Sequence, residues 1–416
     1  MWLFQFTILA WFVVLACVQI IVAIRFASSL LARSETLTPD DQLPEVLAVL
    51  SLRGGDEFLE ETLKRLTALD YPRYRLRIVI DSESESDSAQ TIVDDFIEQY
   101  RPNNVETMCL GQRPLSCSGK IAGLLRGTES LPPECGVVAV FDGDAVLHVS
   151  CLRELVEPLL KGSGLTSGNR WYAPSAATLG GMMRFIWNGF AVNIMNTVRI
   201  PWGGCMAMHA ASVQDPELRK RLSIAFGEDS TVATYMLENS RKVTFVPDAL
   251  VINFEDCSVG SLYNFLVRQY LTVRLHNPRW GFVFWSNMLL GLSILGAYGC
   301  LFTPGIHWEP VATGLGLVTF VVCMQLVLSG FLVRRRKLRA GTTLQRFAVW
   351  HWLLLFPALF CTNLVNLVAV THAMVAREHT WRGITYRFGE QSTVQLVDVA
   401  RPNAETPPEL LVDVAT

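Results

Sequence analysis

Apolar residues come in two kinds of run along this chain. Long uncharged runs lie toward both ends: 2–24 ("WLFQFTILAWFVVLACVQIIVAI"), 281–302 ("GFVFWSNMLLGLSILGAYGCLF") and 311–333 ("VATGLGLVTFVVCMQLVLSGFLV"). Each reaches the roughly 20 residues needed to cross a bilayer as a helix. The first lacks the basic start, short core and small-residue cleavage site of a secretion signal, so an uncleaved anchor is expected. Short apolar runs of strand length fill the middle and alternate with segments of helical spacing. "VLAVLSL" (46–52), "LRIVID" (76–81) and "GVVAVF" (136–141) read as strands. "DEFLEETLKRLTAL", a segment near 87–100, "KIAGLLRGT" and "LRELVEPLL" read as helices. That order predicts a mainly parallel sheet with helices on both faces. Ligands of such sheets gather beyond the carboxyl ends of the strands, where Asp81 and Asp142 stand.

Charge orients the long runs. The loop "TPGIHWEP" between the second and third has no Lys or Arg, whereas "RRRKLRAG" after the third has five. By the positive-inside rule the basic loop is cytoplasmic, which places 27–280 in the cytoplasm and the N-terminus outside. The last apolar stretch, Phe347 to Val375, fits less simply. A plain crossing would export Arg377, Arg382 and Arg387, and the stretch holds Pro357, Asn363, Asn366, His351 and His372. A broken or re-entrant helix pair returning to the cytoplasmic side is expected, with an ordinary fourth span as the alternative. The acidic tail from about 390 is expected to be loosely ordered. The organisation is therefore an anchor (1–26), a linker (27–45), a cytoplasmic catalytic domain (46–255), an interfacial helix region (256–280), membrane segments (281–376) and a cytoplasmic tail (377–416).

Composition agrees with a soluble block joined to membrane helices: of 416 residues, 50% are hydrophobic and 18% charged, with a mean hydropathy of +0.31. A net charge of −3 gives no reason to expect nucleic acid. The ten cysteines have no CxxC spacing and are expected to be reduced.

The candidate chemistry is carboxylate-rich. "VVAVFDGDAV" (137–146) ends an apolar strand on Asp142 and Asp144. Taken alone, Asp-Gly is a turn dipeptide. Asp81 ends the preceding strand in "VIDSESESD", Lys120 opens a helix in "CSGKIAGLL", and Glu228 and Asp229 precede a helical run in "FGEDSTVATYM". Close carboxylates repel and call for a cation. A hard divalent ion, Mg2+ or Mn2+, would neutralise Asp142 and Asp144 and leave positions for substrate phosphates. A sugar donor with a diphosphate leaving group then needs a base for the incoming hydroxyl, and Asp229 is the candidate, against a plain helix N-cap.

The ordered set "LRGGDEFLEETLKRLTALDYPRYRLRIVID", "SGKIAGL", "FDGDA", "GGCMAMH", "FGEDSTVATYM" and "TWRGITYRFG" resembles a membrane-bound family 2 glycosyltransferase, most of all the ceramide glucosyltransferase type. The resemblance runs over nearly the whole chain. It implies a nucleotide-sugar-binding α/β fold (GT-A, Rossmann-like) with N- and C-terminal transmembrane helices, a divalent metal, and inversion at the anomeric carbon. It also implies that Asp81 meets the nucleoside end of the donor, that Asp142 and Asp144 hold metal and diphosphate, that Asp229 is the base, and that Lys120 lies near the nucleotide; Glu228 is expected as a further substrate contact.

The chain departs from that family where relatives carry Gln or Arg, two variable residues, then Arg-Trp. Aligned on Arg268 in "SLYNFLVRQYLTVRLHNPRW", the Arg-Trp positions hold Leu271 and Thr272. Arg268, Gln269 and Arg274 are expected as diphosphate and acceptor contacts, ahead of Arg279 and Trp280, which also suit an interface anchor. Arg268 and Arg274 are six residues apart, so one continuous helix would point them different ways. Trp381 and Arg382 stand where the family has its C-terminal Trp-Arg; with the tail on the cytoplasmic face Arg382 would reach the donor phosphates, the alternative being an anchor on anionic lipid headgroups. "GMMRFIWNGFAVNIMNTVRI" (181–200) is either a core helix or an interfacial one that, with 259–275, frames a lateral opening for a lipid. "SGNRWY", with Asn169 to Tyr172, is either a wall of the sugar or acceptor pocket or a packed strand.

The expected function is metal-dependent, inverting transfer of a hexose, glucose from UDP-glucose first, to a membrane lipid hydroxyl at the cytoplasmic leaflet. Ceramide leads as acceptor, followed by diacylglycerol or a hopanoid-like lipid. The alternatives are a processive polysaccharide synthase and an inactive lipid-binding scaffold.

Overall fold

The computed structural model describes residues 2–32, 38–55, 57–81, 88–303, 308–339, 347–389 and 392–399. Seven strands form one sheet: β1 (Glu45–Leu52), β2 (Tyr74–Ile80), β3 (Val105–Cys109), β4 (Cys135–Phe141), β5 (Ser163–Tyr172), β6 (Cys205–His209) and β7 (Lys242–Asn253). Their order is β3-β2-β1-β4-β6-β5-β7. Only β6 runs against its neighbours, so the expected mainly parallel sheet is present. The helices are α1 (Trp2–Leu31), α2 (Leu59–Thr67), α3 (Ser88–Tyr100), α4 (Gly119–Gly127), α5 (Cys151–Leu160), α6 (Leu179–Val198), α7 (Ala210–Val213), α8 (Pro216–Leu222), α9 (Glu228–Glu238), α10 (Val259–His276), α11 (Trp280–Leu301), α12 (Trp308–Arg339) and α13 (Val349–Val375). A small antiparallel sheet follows: β8 (Glu378–Trp381), β9 (Ile384–Phe388) and β10 (Val394–Val399).

β1 shows why its near-continuous apolar sequence is needed. Val46, Ala48 and Leu50 join the core with α2, α3 and α5, while Leu47 and Val49 join the other layer with α4, α8 and α9. A strand covered on both faces has no polar side to spare. β2, β1 and β4 lie side by side, so Asp81, Arg53 and Asp142 leave adjacent strand ends on one rim. The chain winds outward in opposite directions from β1 and β4, the position where open α/β sheets form a crevice.

Four helices (α1, α11, α12 and α13) are long and apolar enough to cross a membrane. α1 and α12 pack in parallel: Gly314 sits against Phe12, and Arg336 near the end of α12 donates to the carbonyl of Leu30 and pairs with Asp248 of the sheet domain. Between Phe347 and Val375 the structure differs from the expected broken pair. α13 is one unbroken helix, with Pro357 inside it. Proline removes one backbone donor, which an apolar helix packed among others tolerates. Two of the polar residues that suggested a break, Asn366 and His372, are interhelical partners instead, while Asn363 donates to the Leu359 carbonyl of its own helix. Asn366 accepts from Trp187 of α6 (3.0 Å) and Tyr270 of α10, and donates to Asn287 of α11 (2.9 Å). His372 stacks on Tyr263, and His351 stacks on Phe347. The tail differs too: Val394–Val399 is not loose but pairs with β9, while 400–416 lies outside the described residues. All ten cysteines are free.

Candidate active site

The site is built on the rim where β1, β2 and β4 end. A cavity of about 160 Å3 there is lined by Asp81, Asp142 and Asp144 with Arg53, Lys120, Arg170, Arg268 and Arg382. Trp381 and Tyr386 of the small sheet close it, and the Tyr386 hydroxyl accepts from the Gly119 amide (3.1 Å) at the start of α4. Five cations against three carboxylates give the cavity a surplus of positive charge that suits a diphosphate.

Asp81 is buried beneath two guanidiniums: Arg113 donates to it at 2.6 and 3.1 Å, and Arg53 lies at 3.6 Å. Lys120 lies in the first turn of α4, whose N-cap is Ser118, and pairs with Asp142 and with Glu228 (2.6 Å). Burial works against the Lys120 charge, but Asp142 and Glu228 outweigh it and raise its pKa. Burial likewise acts to raise Asp142, and Lys120 and Arg170 overcome it, holding the carboxyl below its ordinary range. Arg170 forks onto Asp144 (2.7 and 2.8 Å) and reaches Asp142 (3.2 Å), with its plane over the Trp202 ring at 4.6 Å.

Oxygen lone pairs of Asp142 and Asp144 thus converge on one positive centre. That all-oxygen, two-carboxylate set fits a hard divalent ion completed by phosphate and water. Among the described residues no group of three His, Cys, Asp or Glu gathers as a complete metal cage.

A second cavity, about 110 Å3, adjoins the first through Lys120, Asp142, Arg170, Arg268 and Trp381, and leads to Asp229. Asp229 is the second residue of α9 rather than its cap, which is Gly227. It accepts from the Ser230 amide (2.6 Å) and the Gly203 amide (3.3 Å). Burial, then the adjacent Glu228 carboxylate, push its pKa up to about 6. Gly203 and Gly204 are required by close approach. A Cβ on Gly203 would stand 1.8 Å from Glu228 Oε1, and one on Gly204 would stand 2.3 Å from Asp142 Oδ2.

Asp229 also opens on a third, apolar cavity of about 210 Å3. Ile186, Phe190 and Ile194 of α6, Val273 of α10, Leu290 of α11, Val322 of α12 and Leu359 of α13 line it, with Tyr270, Asn287 and Asn366 among its polar residues. One face of α6 packs on β5, as the core-helix reading of 181–200 expects, while another lines this cavity.

The structure brings Asp81, Lys120, Asp142, Asp144, Glu228, Asp229, Arg268, Gln269, Trp381 and Arg382 to these joined cavities. Arg268 is sandwiched over Trp381 (4.6 Å) and Phe265 (5.8 Å). Arg274 is not there. It donates to the carbonyls of Ala373 and Met374 at the end of α13, because six residues along a helix turn it away from Arg268. Arg279 and Trp280 open α11 and line none of the three cavities. Arg53 and Arg113 were missed by sequence reasoning, and Arg170 was left open within "SGNRWY". The available signal was a charge inside an otherwise fully buried strand.

Phe226, three residues ahead of Asp229, is ringed by His379, Trp381, Tyr386 and Phe388 of the tail. Its amide donates to His276 Nε2 (2.8 Å), and burial drops that histidine to about 4, which keeps the acceptor nitrogen free.

Solved structures of similar fold include the mannosyltransferase PcManGT from Pyrobaculum calidifontis in complex with GDP-Man and Mn2+, 14% identical, covering 88% of this chain and 99% of that one with a TM-score of 0.46. Glucosyl-3-phosphoglycerate synthase from Mycobacterium tuberculosis in complex with UDP is 14% identical, covering 56% of this chain and 82% of that one with a TM-score of 0.37. Probable glycosyltransferase YdaM of Bacillus subtilis (strain 168) is 28% identical over 103 residues, 25% of this chain and 23% of the relative, so this match spans about a quarter of that protein. The motifs resembled family 2; the profile that matches, over residues 8–394, is that of Glycosyl transferase family 21, and the chain belongs to that family.

Proposed function

We propose that this glycosyltransferase moves a hexose, glucose from UDP-glucose, onto the hydroxyl of a membrane lipid with inversion at the anomeric carbon. One observation carries the reading: the Asp229 carboxylate stands where the charged cavity meets the apolar one. A donor diphosphate suits the first and an acyl chain the second, and the base lies at their junction. Asp81 and its two arginines would hold the nucleoside end, and Lys120, Arg268 and Arg382 the diphosphate. Asp142 and Asp144 would hold Mg2+ or Mn2+, which when bound neutralises charge on the departing diphosphate. The acceptor oxygen bonds to the anomeric carbon as the bond to UDP breaks, the electron pair leaves on the diphosphate, and Asp229 takes the hydroxyl proton.

Ceramide is the first acceptor. Tyr270, Asn287 and Asn366 offer hydrogen bonds within the apolar cavity, which an amide-bearing lipid uses better than a diacylglycerol. The sheet domain is assigned to the cytoplasmic side, since Arg336 of the basic segment pairs with Asp248 of that domain. Purified protein incubated with a panel of nucleotide sugars and lipids, with and without EDTA, is expected to add one glucose per lipid and to stop on metal removal. Long polymer would support a processive synthase instead, and transfer surviving complete metal removal would overturn the role of Asp142 and Asp144.

A further inference from the structure

Arg170 is the one guanidinium that pairs with both Asp142 and Asp144 among the described residues. Its guanidinium makes the bidentate fork onto Asp144 and the contact to Asp142, donates also to Tyr172 Oη (3.0 Å), and has its Cζ 4.6 Å from the centre of the Trp202 ring. The side chain comes from a strand buried throughout its length, so it is not a mobile surface arginine that drifted onto the pair. Two positive groups cannot share these oxygens at low cost, because a cation entering the pair leaves a buried guanidinium uncompensated. The same cavity offers Arg170 one alternative: the oxygens of a diphosphate, next to Lys120 and Arg268.

We propose that Arg170 is an internal counter-cation that closes the Asp142–Asp144 pair to free divalent ions and releases it when a nucleoside diphosphate gives the guanidinium replacement oxygens. The inference rests on the reading of this pair as the metal site. Its consequence is obligatory synergy: metal binds weakly to the free protein and strongly with nucleotide, and by reciprocity the nucleotide binds better with metal by the same factor. Arg170 acts on the metal through the two carboxylates and on the nucleotide by direct contact with its diphosphate.

The test is Mn2+ binding to the full-length protein in detergent, followed by electron paramagnetic resonance, with and without UDP and corrected for the Mn2+–UDP complex in solution. Wild type is expected to bind Mn2+ at least about tenfold more tightly with UDP than without it. Arg170→Gln is expected to bind Mn2+ alone about tenfold more tightly than wild type, and the synergy with UDP to shrink accordingly. Arg170→Lys keeps a cation without the fork and should fall between the two; it serves as the second variant if Arg170→Gln does not melt cooperatively. If UDP-dependent Mn2+ binding is abolished by Asp144→Asn, yet both Arg170 variants bind free Mn2+ no better than wild type, the counter-cation is refuted and the metal site stands. If no variant binds Mn2+ under any condition, both fall together.

Discussion

At the residue scale the informative feature of Asp229 is its surroundings. A carboxyl at a helix N-terminus would ordinarily be acidic, but burial and the neighbouring Glu228 hold this one near 6. The base form is the ionised one, so protonation removes activity. kcat/KM should fall about tenfold per pH unit below about 6 and level off above it. Removing a like charge lowers a carboxyl pKa, so in Glu228→Gln the acidic limb should move to lower pH. Asp229→Asn should cost about 10²- to 10⁴-fold in turnover while UDP binding, read by calorimetry, persists. Gly203→Ala tests the packing around the base: its methyl would drive Glu228 away from Lys120, and a loss of about 1–3 kcal/mol is expected in a denaturant melt. An unchanged melt would mean that the Gly203 loop yields freely.

Elements decide which of the expected arginines serve the site. α10 presents Arg268 to the charged cavity and Arg274 to the end of α13, where a cation meets unpaired helix carbonyls. Arg268→Gln should therefore weaken UDP binding. Arg274→Gln should leave it intact and lower the stability read in a denaturant melt by on the order of 1 kcal/mol. Equal loss of UDP affinity in both variants would contradict this division. Helical periodicity contains the divergence of the two side chains but not which of them faces ligand. α13 shows the converse: Asn366 looks like a sign of a break because its partners, Trp187, Tyr270 and Asn287, lie 79 to 179 residues away in sequence.

For the molecule as a whole, the proposed function has donor and acceptor arriving from different phases through the three joined cavities. Ala191 of α6 lines both the cavity that holds Asp229 and the apolar one. Ala191→Trp should plug that junction, abolishing transfer to lipid while UDP binding and the melting temperature stay near wild type. Retained transfer would mean that the acceptor enters elsewhere. The small sheet of β8, β9 and β10 ties the end of the chain to its centre, since Tyr386 meets Gly119 and four tail rings surround Phe226.

Several features were determined by sequence alone because they depend on neighbours along the chain. Apolar runs matched the candidate membrane helices α1, α11 and α12, and strand runs ended at Asp81 and Asp142 on the rim. The order of short motifs indicated a glycosyltransferase. Tertiary structure alone decided the rest. "SGNRWY" states that Arg170 and Tyr172 share a face opposite Trp171, but only the place of β5 between β6 and β7 turns that face onto Asp142 and Asp144. Burial, too, is a property of the packed chain: it raises the pKa of Asp229, keeps His276 neutral, and makes Arg170 a cation that must be paired. Periodicity fixes directions within an element, and the charges that meet across elements are set by how those elements pack.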